Sequence, residues 1–175
     1  MLFLVVGGLI VSSCTSKSQP PKKDVLALST NEVEVTTGST DGLQWSLMVR
    51  HEGTGECLSF VNGPGRTETC GPLDIALVNA ERLNASKRLD NLHFKCIDFV
   101  LGAVRPIVTR VRVDAAGMDA VELDAISVAD FDTKFFITQI PLEILDVTVS
   151  GLDSHGTIVG NQLIPADRSS GACDE

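Results

Sequence analysis

The hydrophobic pattern of this chain repeats every two residues, and this period constrains the fold more than any other feature. Apolar and polar residues alternate in segments 43–50, 107–114, 121–124 and 145–150. A strand with one buried and one wet face produces this alternation, because successive side chains point to opposite faces. In segment 107–114 the pattern predicts that Ile107 and every second residue after it lie on the buried face.

Turn-forming residues separate these segments and predict many short strands. Turns are expected at 51–55, 115–119 and 153–156. Shorter apolar runs predict further strands at 25–28, 33–35, 94–100, 135–138 and 157–159. With no long segment of helical period, this pattern favours an all-β fold, an antiparallel β-sandwich. Only segment 75–87 has a weak helical period, so we expect at most one short helix there.

Segment 99–160 carries a series of motifs in a recognisable order. Phe99-Val100-Leu101-Gly102-Ala103-Val104-Arg105-Pro106 is followed by the Val/Arg strand, an acidic strand, Phe135-Phe136, Ile140-Pro141 and a hairpin ending at Gly160. This order resembles the C-terminal β-sandwich of many uncharacterised bacterial lipoproteins and membrane-tethered proteins. The resemblance covers about a third of the chain. It implies an immunoglobulin-like fold and carries over no active-site residue.

The first fourteen residues form a separate motif. An apolar run from Leu2 to Ile10 leads into Val11-Ser12-Ser13-Cys14. This resembles the lipobox of a bacterial lipoprotein signal peptide, in which the cysteine thiol receives a diacylglyceryl group before cleavage. The run is shorter than the roughly 20 residues that span a bilayer and has the length of a signal-peptide hydrophobic region. The resemblance implies removal of residues 1–13 and lipidation of Cys14.

One part of the signal-peptide pattern is missing, because no Lys or Arg precedes the apolar run. The simplest explanation is a true start upstream of Met1. An ordinary cleaved signal with an incidental cysteine, or a buried N-terminal strand, would also account for an apolar run of this length.

Residues 14–23 predict a polar tether. From Thr15 to Lys23 the chain has no apolar residue, so it cannot bury enough surface to offset its conformational entropy. Its prolines stiffen it, and its lysines favour a path near anionic headgroups. We therefore expect a lipid-anchored chain on the extracytoplasmic face of the cell membrane, with a single β-sandwich domain at 24–175.

The charge of this domain argues against one class of partner. The whole chain has a net charge of −9, and Lys17, Lys22 and Lys23 are the charged residues of its first 23. Without these three positive charges, the part from Asp24 onward has a net charge of −12. Nucleic-acid binding requires a basic face, so we predict no nucleic-acid partner.

Four cysteines follow the tether, at Cys57, Cys70, Cys96 and Cys173. An even number in an exported chain predicts two disulfides, and four cysteines allow three pairings. The residues between Cys57 and Cys70 form a strand, a turn and a second strand, which favours that pairing and leaves Cys96 with Cys173. In the chain-entropy model, closing a loop of this size contributes about 3 kcal/mol.

Two metal sites are conceivable, but the spacing favours neither. His93 and Cys96 could join Cys57 and Cys70 around zinc, yet there is no Cys-x-x-Cys, and positions three apart on a strand face opposite sides. A group of carboxylates could bind calcium, but the Asp-x-Asp-x-Asp-Gly spacing is absent. This group comprises Asp114, Asp119, Glu122, Asp124, Asp130 and Asp132. We predict no metal and no cofactor.

The sequence contains no catalytic signature such as Gly-x-Ser-x-Gly, His-Glu-x-x-His or a Walker loop. Asp153, Ser154 and His155 are neighbours in sequence, and neighbours rarely converge as a triad. We therefore expect a non-catalytic module that binds an envelope protein or ligand. The alternatives are an envelope hydrolase, in which His93 or His155 meets carboxylates, and a sensory or regulatory lipoprotein.

Overall fold

The computed structural model describes residues 31–63, 65–73, 76–88, 94–141 and 146–165. These residues form strands and turns, with no helix among them. The strands are β1 Val33–Thr40, β2 Leu43–Glu52, β3 Gly55–Asn62, β4 Gly65–Gly71, β5 Val78–Arg88, β6 Phe94–Val104, β7 Arg110–Ala115, β8 Val121–Asp124, β9 Ile126–Ser127, β10 Lys134–Ile140, β11 Val147–Leu152 and β12 Ile158–Ile164. The all-β fold predicted from the period of two is confirmed.

The strands form three four-stranded antiparallel sheets. The N-terminal sheet is a meander in the order β1-β2-β3-β4, the central sheet has the order β5-β6-β10-β9, and the C-terminal sheet has the order β12-β11-β7-β8. In the meander, Gly53 and Gly63 have positive φ angles of 59° and 53° in the two turns that flank β3. Glycine adopts this backbone conformation without steric cost, so the sequence supports both tight turns.

The central sheet is buried on both faces. Strand β6 is buried at every position from Ile97 to Val104. Its odd-numbered residues pack against the N-terminal sheet, whereas Val100 and Val104 pack against the C-terminal sheet. A strand covered on both sides is apolar at successive positions rather than at alternate ones, and β6 has this composition.

Two hydrophobic cores lie on the two faces of the central sheet, and they differ in composition. The first core, against the N-terminal sheet, contains the rings of Trp45, Phe60 and Phe99, with centroids 5.1 to 6.2 Å apart. The second core, against the C-terminal sheet, is mainly valine. Its buried valines are Val78, Val100, Val104, Val108, Val111, Val113, Val147 and Val149.

The central and C-terminal sheets are joined along both of their sides. On one side, Ala125 alone separates β8 from β9, and its amide donates to the carbonyl oxygen of Thr109. On the other side, the Gln162 side-chain amide accepts from the amide of Ala80 at 2.8 Å and donates to its carbonyl oxygen at 2.9 Å. The predicted sandwich corresponds to these two sheets, and the N-terminal sheet adds a third layer.

The helix allowed by the sequence at 75–87 is not formed where the structure describes this segment. Strand β5 pairs with β6 over eleven residues, from Val78 opposite Val104 to Arg88 opposite Phe94. Ala80 and Ala85 are buried in the two cores. The local preference of Ala, Leu, Glu and Arg for a helix is overridden by the long ladder to β6.

The predicted phase of segment 107–114 is wrong at its start. Ile107 is 56% exposed, whereas Val108 is fully buried. The amide of Val108 donates to the carbonyl oxygen of Arg105, so a turn reverses the chain before β7 begins at Arg110. From Val111 onward the alternation holds, with Val111 and Val113 buried.

Candidate functional site

A cleft of about 180 Å³ opens where the β2–β3 turn, the segment after β4 and the loop 128–133 meet. It contains three carboxylates, and no Lys or Arg is among the described residues that line it. We call it the acidic cleft. Its lining residues are His51, Thr54, Gly55, Glu56, Pro72, Leu73, Asp130, Asp132 and Thr133.

His51 and the loop 128–133 form one wall of the acidic cleft. The His51 ring stacks on Phe131 with centroids 4.2 Å apart, and its Nε2 donates to the carbonyl oxygen of Asp130 at 3.2 Å. Asp130 has a φ of 68°, a left-handed conformation that Asp tolerates better than most residues. Phe131 in turn packs edge-on against the buried ring of Phe135. The loop is thereby anchored to the first core.

Glu56 lies directly opposite His51 in the β2–β3 ladder. Side chains of such a pair project from the same face of a hairpin. The Oε2 atom of Glu56 is buried and has no hydrogen-bond partner. Because a buried acceptor without a partner is costly, each such atom in a native fold calls for an explanation. A donor group bound in the cleft would provide one.

The chemistry of the acidic cleft is that of a cation acceptor. The carboxylates of Glu56, Asp130 and Asp132 all contribute negative charge, and Thr54 and Thr133 contribute hydroxyl groups. His51 makes its hydrogen bond to a carbonyl oxygen and not to either hydroxyl, so the described lining contains no nucleophile activated by histidine. A cleft of this volume holds one small cationic group rather than a large ligand.

The carboxylates considered from sequence as a calcium site, and not favoured, lie in at least two separate places. Asp130 and Asp132 line the acidic cleft. Asp114 pairs with Arg112 at 2.8 Å, and Glu122 pairs with Arg110 at 3.1 Å, on the outer face of the C-terminal sheet. Across the described residues, the one group of three metal-binding side chains within reach of one another is Glu52, Cys57 and Cys70.

The predicted disulfide between Cys57 and Cys70 is confirmed. The two residues are directly opposite on β3 and β4, with Cα atoms 4.1 Å apart. Cys57 is fully buried, whereas Cys70 is exposed. The Oε2 atom of Glu52 lies 2.9 Å from the Cys57 sulfur. Because both sulfurs are covalently paired, neither is a thiolate ligand for the zinc site considered from sequence.

An ion-pair network covers the outer face of the N-terminal sheet, beside this disulfide. We call Glu32, Arg50, Ser59, Arg66 and Glu68 the outer network. Arg66 pairs with Glu32, and it reaches Glu68 and the Ser59 hydroxyl at 2.8 Å each. Hydrogen bonds from Arg66, then Arg50 and Ser59, lower the pKa of Glu68 to about 2. The Glu32 side chain is 1% exposed, so part of the outer network is buried beneath the surface.

The three neighbours Asp153, Ser154 and His155 form a turn, and their geometry is not that of a triad. The Asp153 carboxylate accepts the amides of His155 and Thr157 at 2.8 and 2.9 Å, which fixes the β11–β12 turn. Ser154 and Asp153 both approach the Nδ1 atom of His155, at 3.4 and 3.9 Å. A triad needs the hydroxyl and the acid at opposite ring nitrogens.

Several residues singled out from the sequence lie outside the described residues. Cys14, His93 and Cys173 are among them, so the lipidation of Cys14 remains a hypothesis. Cys96 is disulfide-bonded, and its pairing with Cys173 remains a prediction.

The sequence pattern places His51 in a turn and does not predict that it lines the acidic cleft. His51 is instead the penultimate residue of β2, and its exposed ring covers Phe131. One signal was available: a tight turn at Gly53-Thr54 sets His51 opposite Glu56 in the hairpin register. The contact with Phe131, 80 residues further along the chain, had no local signal.

No protein-family model, curated protein or solved structure matches this chain. Within the described residues, no helix is long and apolar enough to cross a membrane.

Proposed function

We propose that this chain is a lipoprotein anchored through Cys14 at the extracytoplasmic face of the cell membrane, where it acts as a non-catalytic binding module. The single observation that carries the proposal is the apolar run ending in Val11-Ser12-Ser13-Cys14, followed by a polar tether. The resemblance of segment 99–160 to the immunoglobulin-like sandwich of such lipoproteins supports the same function.

The disulfide between Cys57 and Cys70 is consistent with export. Disulfides persist in oxidising compartments and are rare where cellular reductants act. Acyl chains and basic residues together would hold the chain at the membrane. Stable attachment to a bilayer takes two acyl chains, or one chain and a basic patch, and a diacylglyceryl group together with Lys17, Lys22 and Lys23 would meet that requirement.

The binding surface of this module is the acidic cleft, and its ligand carries a primary ammonium or guanidinium group. Such a group brings several N–H donors and a positive charge. It would satisfy the buried oxygen of Glu56 and neutralise the neighbouring Asp132. An envelope protein that presents a lysine or arginine side chain fits this chemistry.

Intact-mass measurement on protein from a membrane fraction tests the anchor. We expect loss of residues 1–13 and a diacylglyceryl adduct on Cys14. The Cys14→Ser variant should be released from the membrane fraction, whereas Cys96→Ser should stay bound. An unmodified Cys14, or a Cys14→Ser variant that stays with the membrane as tightly as the parent, would contradict the proposal.

Titration with agmatine, which has one ammonium and one guanidinium group, tests the acidic cleft separately. We expect agmatine to shift the NMR signals of His51 and Thr133. The Glu56→Gln variant should bind agmatine about tenfold more weakly, since a charge-assisted contact is worth about 1.5–3 kcal/mol. Glu122→Gln is the matched control, because it removes an exposed carboxylate from the C-terminal sheet. Equal binding by the Glu56→Gln and Glu122→Gln variants would exclude the cleft as the site.

A further inference from the structure

The two sulfurs of the Cys57–Cys70 disulfide have very different surroundings. Cys57 is 0% exposed, whereas Cys70 is exposed on β4, the edge strand of the N-terminal sheet. An external thiol or disulfide can therefore approach the sulfur of Cys70 but not that of Cys57. Access is one of the factors that decide which sulfur takes part in thiol–disulfide exchange.

Each sulfur also has a charged neighbour. The Oε2 atom of Glu52 lies 2.9 Å from the Cys57 sulfur and 3.8 Å from the Cys70 sulfur. The guanidinium Nη2 of Arg50 lies 4.0 Å from the Cys70 sulfur. A carboxylate within reach of a buried thiol can accept its proton, and a nearby guanidinium favours the thiolate form of an exposed cysteine.

We propose that Cys57 and Cys70 form a dithiol–disulfide exchange site whose substrate is a disulfide in another protein. Cys70 is the entering nucleophile, and Cys57 is the resolving cysteine. Glu52 is the residue that accepts the proton of Cys57, and this redox chemistry is an activity beyond the binding function proposed above. This inference rests on the described domain and is independent of the lipid anchor and of the acidic cleft.

The Cys57–Cys70 disulfide is first reduced by a dithiol in a donor protein, which itself becomes a disulfide. The reaction with the partner then has two steps. The Cys70 thiolate attacks one sulfur of the partner's disulfide, that S–S bond breaks, and the partner's second sulfur leaves as a thiolate and takes a proton from water. The Cys57 thiol then gives its proton to Glu52, and its sulfur attacks the Cys70 sulfur. The mixed disulfide breaks, and the partner's first sulfur leaves as a thiolate, which takes a proton from Glu52 by way of water. Two electrons pass to the partner, which becomes a dithiol, and the chain becomes the Cys57–Cys70 disulfide that the structure contains.

The order of alkylation in the full, unmutated chain is the first test. After reduction with dithiothreitol without denaturant, a short exposure to iodoacetamide and peptide mass mapping should find Cys70 modified at least about tenfold faster than Cys57, because only an accessible thiolate reacts. Equal rates would contradict the assignment of the entering and resolving cysteines. Reduction that requires denaturant would overturn the exchange site as a whole.

Reaction with glutathione disulfide tests the second step. The wild-type chain should close to the Cys57–Cys70 disulfide, and Cys57→Ser should accumulate a glutathione adduct on Cys70. In the Glu52→Gln variant, which keeps Cys57, the glutathione adduct on Cys70 should convert to the Cys57–Cys70 disulfide about 100-fold more slowly than in the wild type. This factor is the lower end of general-base contributions. Glu52 Oε2 also pairs with Arg50, but the Glu52 side chain is 54% exposed. An exposed pair contributes little to stability, so this variant should unfold close to the wild-type midpoint.

Glu122→Gln serves again as the matched control, since it makes the same change on a different sheet and should close at the wild-type rate. Closure of Glu52→Gln at that same rate would remove Glu52 from the mechanism. Adducts that form on Cys57 as readily as on Cys70 would overturn the proposal.

Discussion

The two outer faces of the molecule both carry arginine–carboxylate pairs, yet they differ in how those pairs are arranged. On the C-terminal sheet, Arg110 pairs with Glu122 and Arg112 pairs with Asp114, and Arg112 also lies 4.0 Å from Glu122. All four side chains are 40–43% exposed. On the N-terminal sheet, the outer network converges on two arginines, and its charged side chains are 1–29% exposed. On both faces a carboxylate is shared by two arginines, so the main difference lies in burial.

This difference shows which ion pairs contribute to stability. An exposed pair gains little, because water screens it and both side chains lose freedom. In the outer network, Glu68 accepts hydrogen bonds from two arginines and a buried hydroxyl, and its pKa falls to about 2. Breaking such a cluster leaves partly buried charges without partners, which costs far more than losing an exposed pair.

Arg66→Ala should produce the largest effect. It removes the hydrogen-bonded partner of Glu32, whose side chain is 1% exposed and lies 4.0 Å from Arg50, and two hydrogen bonds to Ser59 and Glu68. We expect a loss of about 3 kcal/mol in the free energy of unfolding, measured in urea. A loss no greater than that of Arg112→Ala would show that the burial of the outer network has no energetic consequence.

Ser59→Ala should have the second-largest effect. Ser59 is fully buried, donates to Glu68 at 2.8 Å and accepts from Arg66 at 2.8 Å. Its removal should cost about 1.5 kcal/mol in the same urea assay. Ser154→Ala, in the exposed β11–β12 turn, is the control that should leave the unfolding midpoint unchanged.

Acid should weaken the outer network through Glu68. Its pKa is about 2 in the folded protein and 4.5 in its ordinary state, so the stabilisation is complete above pH 4.5 and is lost as the pH falls toward 2. Between pH 4.5 and 2, the wild type should lose about 1 kcal/mol more of its free energy of unfolding than Glu68→Gln does, after allowing for the partial exposure of Glu68. Parallel pH profiles for Glu68→Gln and the wild type would contradict this.

Arg112→Ala should produce the smallest change. Its pair with Asp114 is exposed on both sides, so the urea midpoint should move within the error of the measurement, and 1 M NaCl should abolish any difference from the wild type. A salt-resistant loss would mean that these exposed pairs contribute to stability as the outer network does, and that burial does not separate the two faces.

The sequence predicted much of the strand pattern and little of the site, for physical reasons. The alternation in β2 and β11 predicted the residues that face the cores, and Leu47, Val49, Val147 and Val149 are fully buried. Met48 and Ser150, predicted on the wet faces, are buried as well. Segment 75–87 allows a helix by its local pattern, but β5 forms there because it pairs with β6. A pattern read over a short stretch of sequence does not include that pairing.

The third layer had no sequence signature of its own. The N-terminal meander alternates like any half-buried sheet, and nothing in that pattern states which face of the central sheet it covers. The disulfide was predictable because a short hairpin brings Cys57 and Cys70 together. The neighbours Glu52 and Arg50 follow from that register only once the pairing of β2 with β3 is known.

The Gln162 amide occupies the place that a neighbouring strand would take beside β5. It binds both the amide and the carbonyl group of Ala80, two groups that on an open edge would template the addition of a foreign strand. This one side chain therefore blocks strand addition at Ala80. Without it, a second copy of the chain could extend the central sheet, and self-association would begin at this seam.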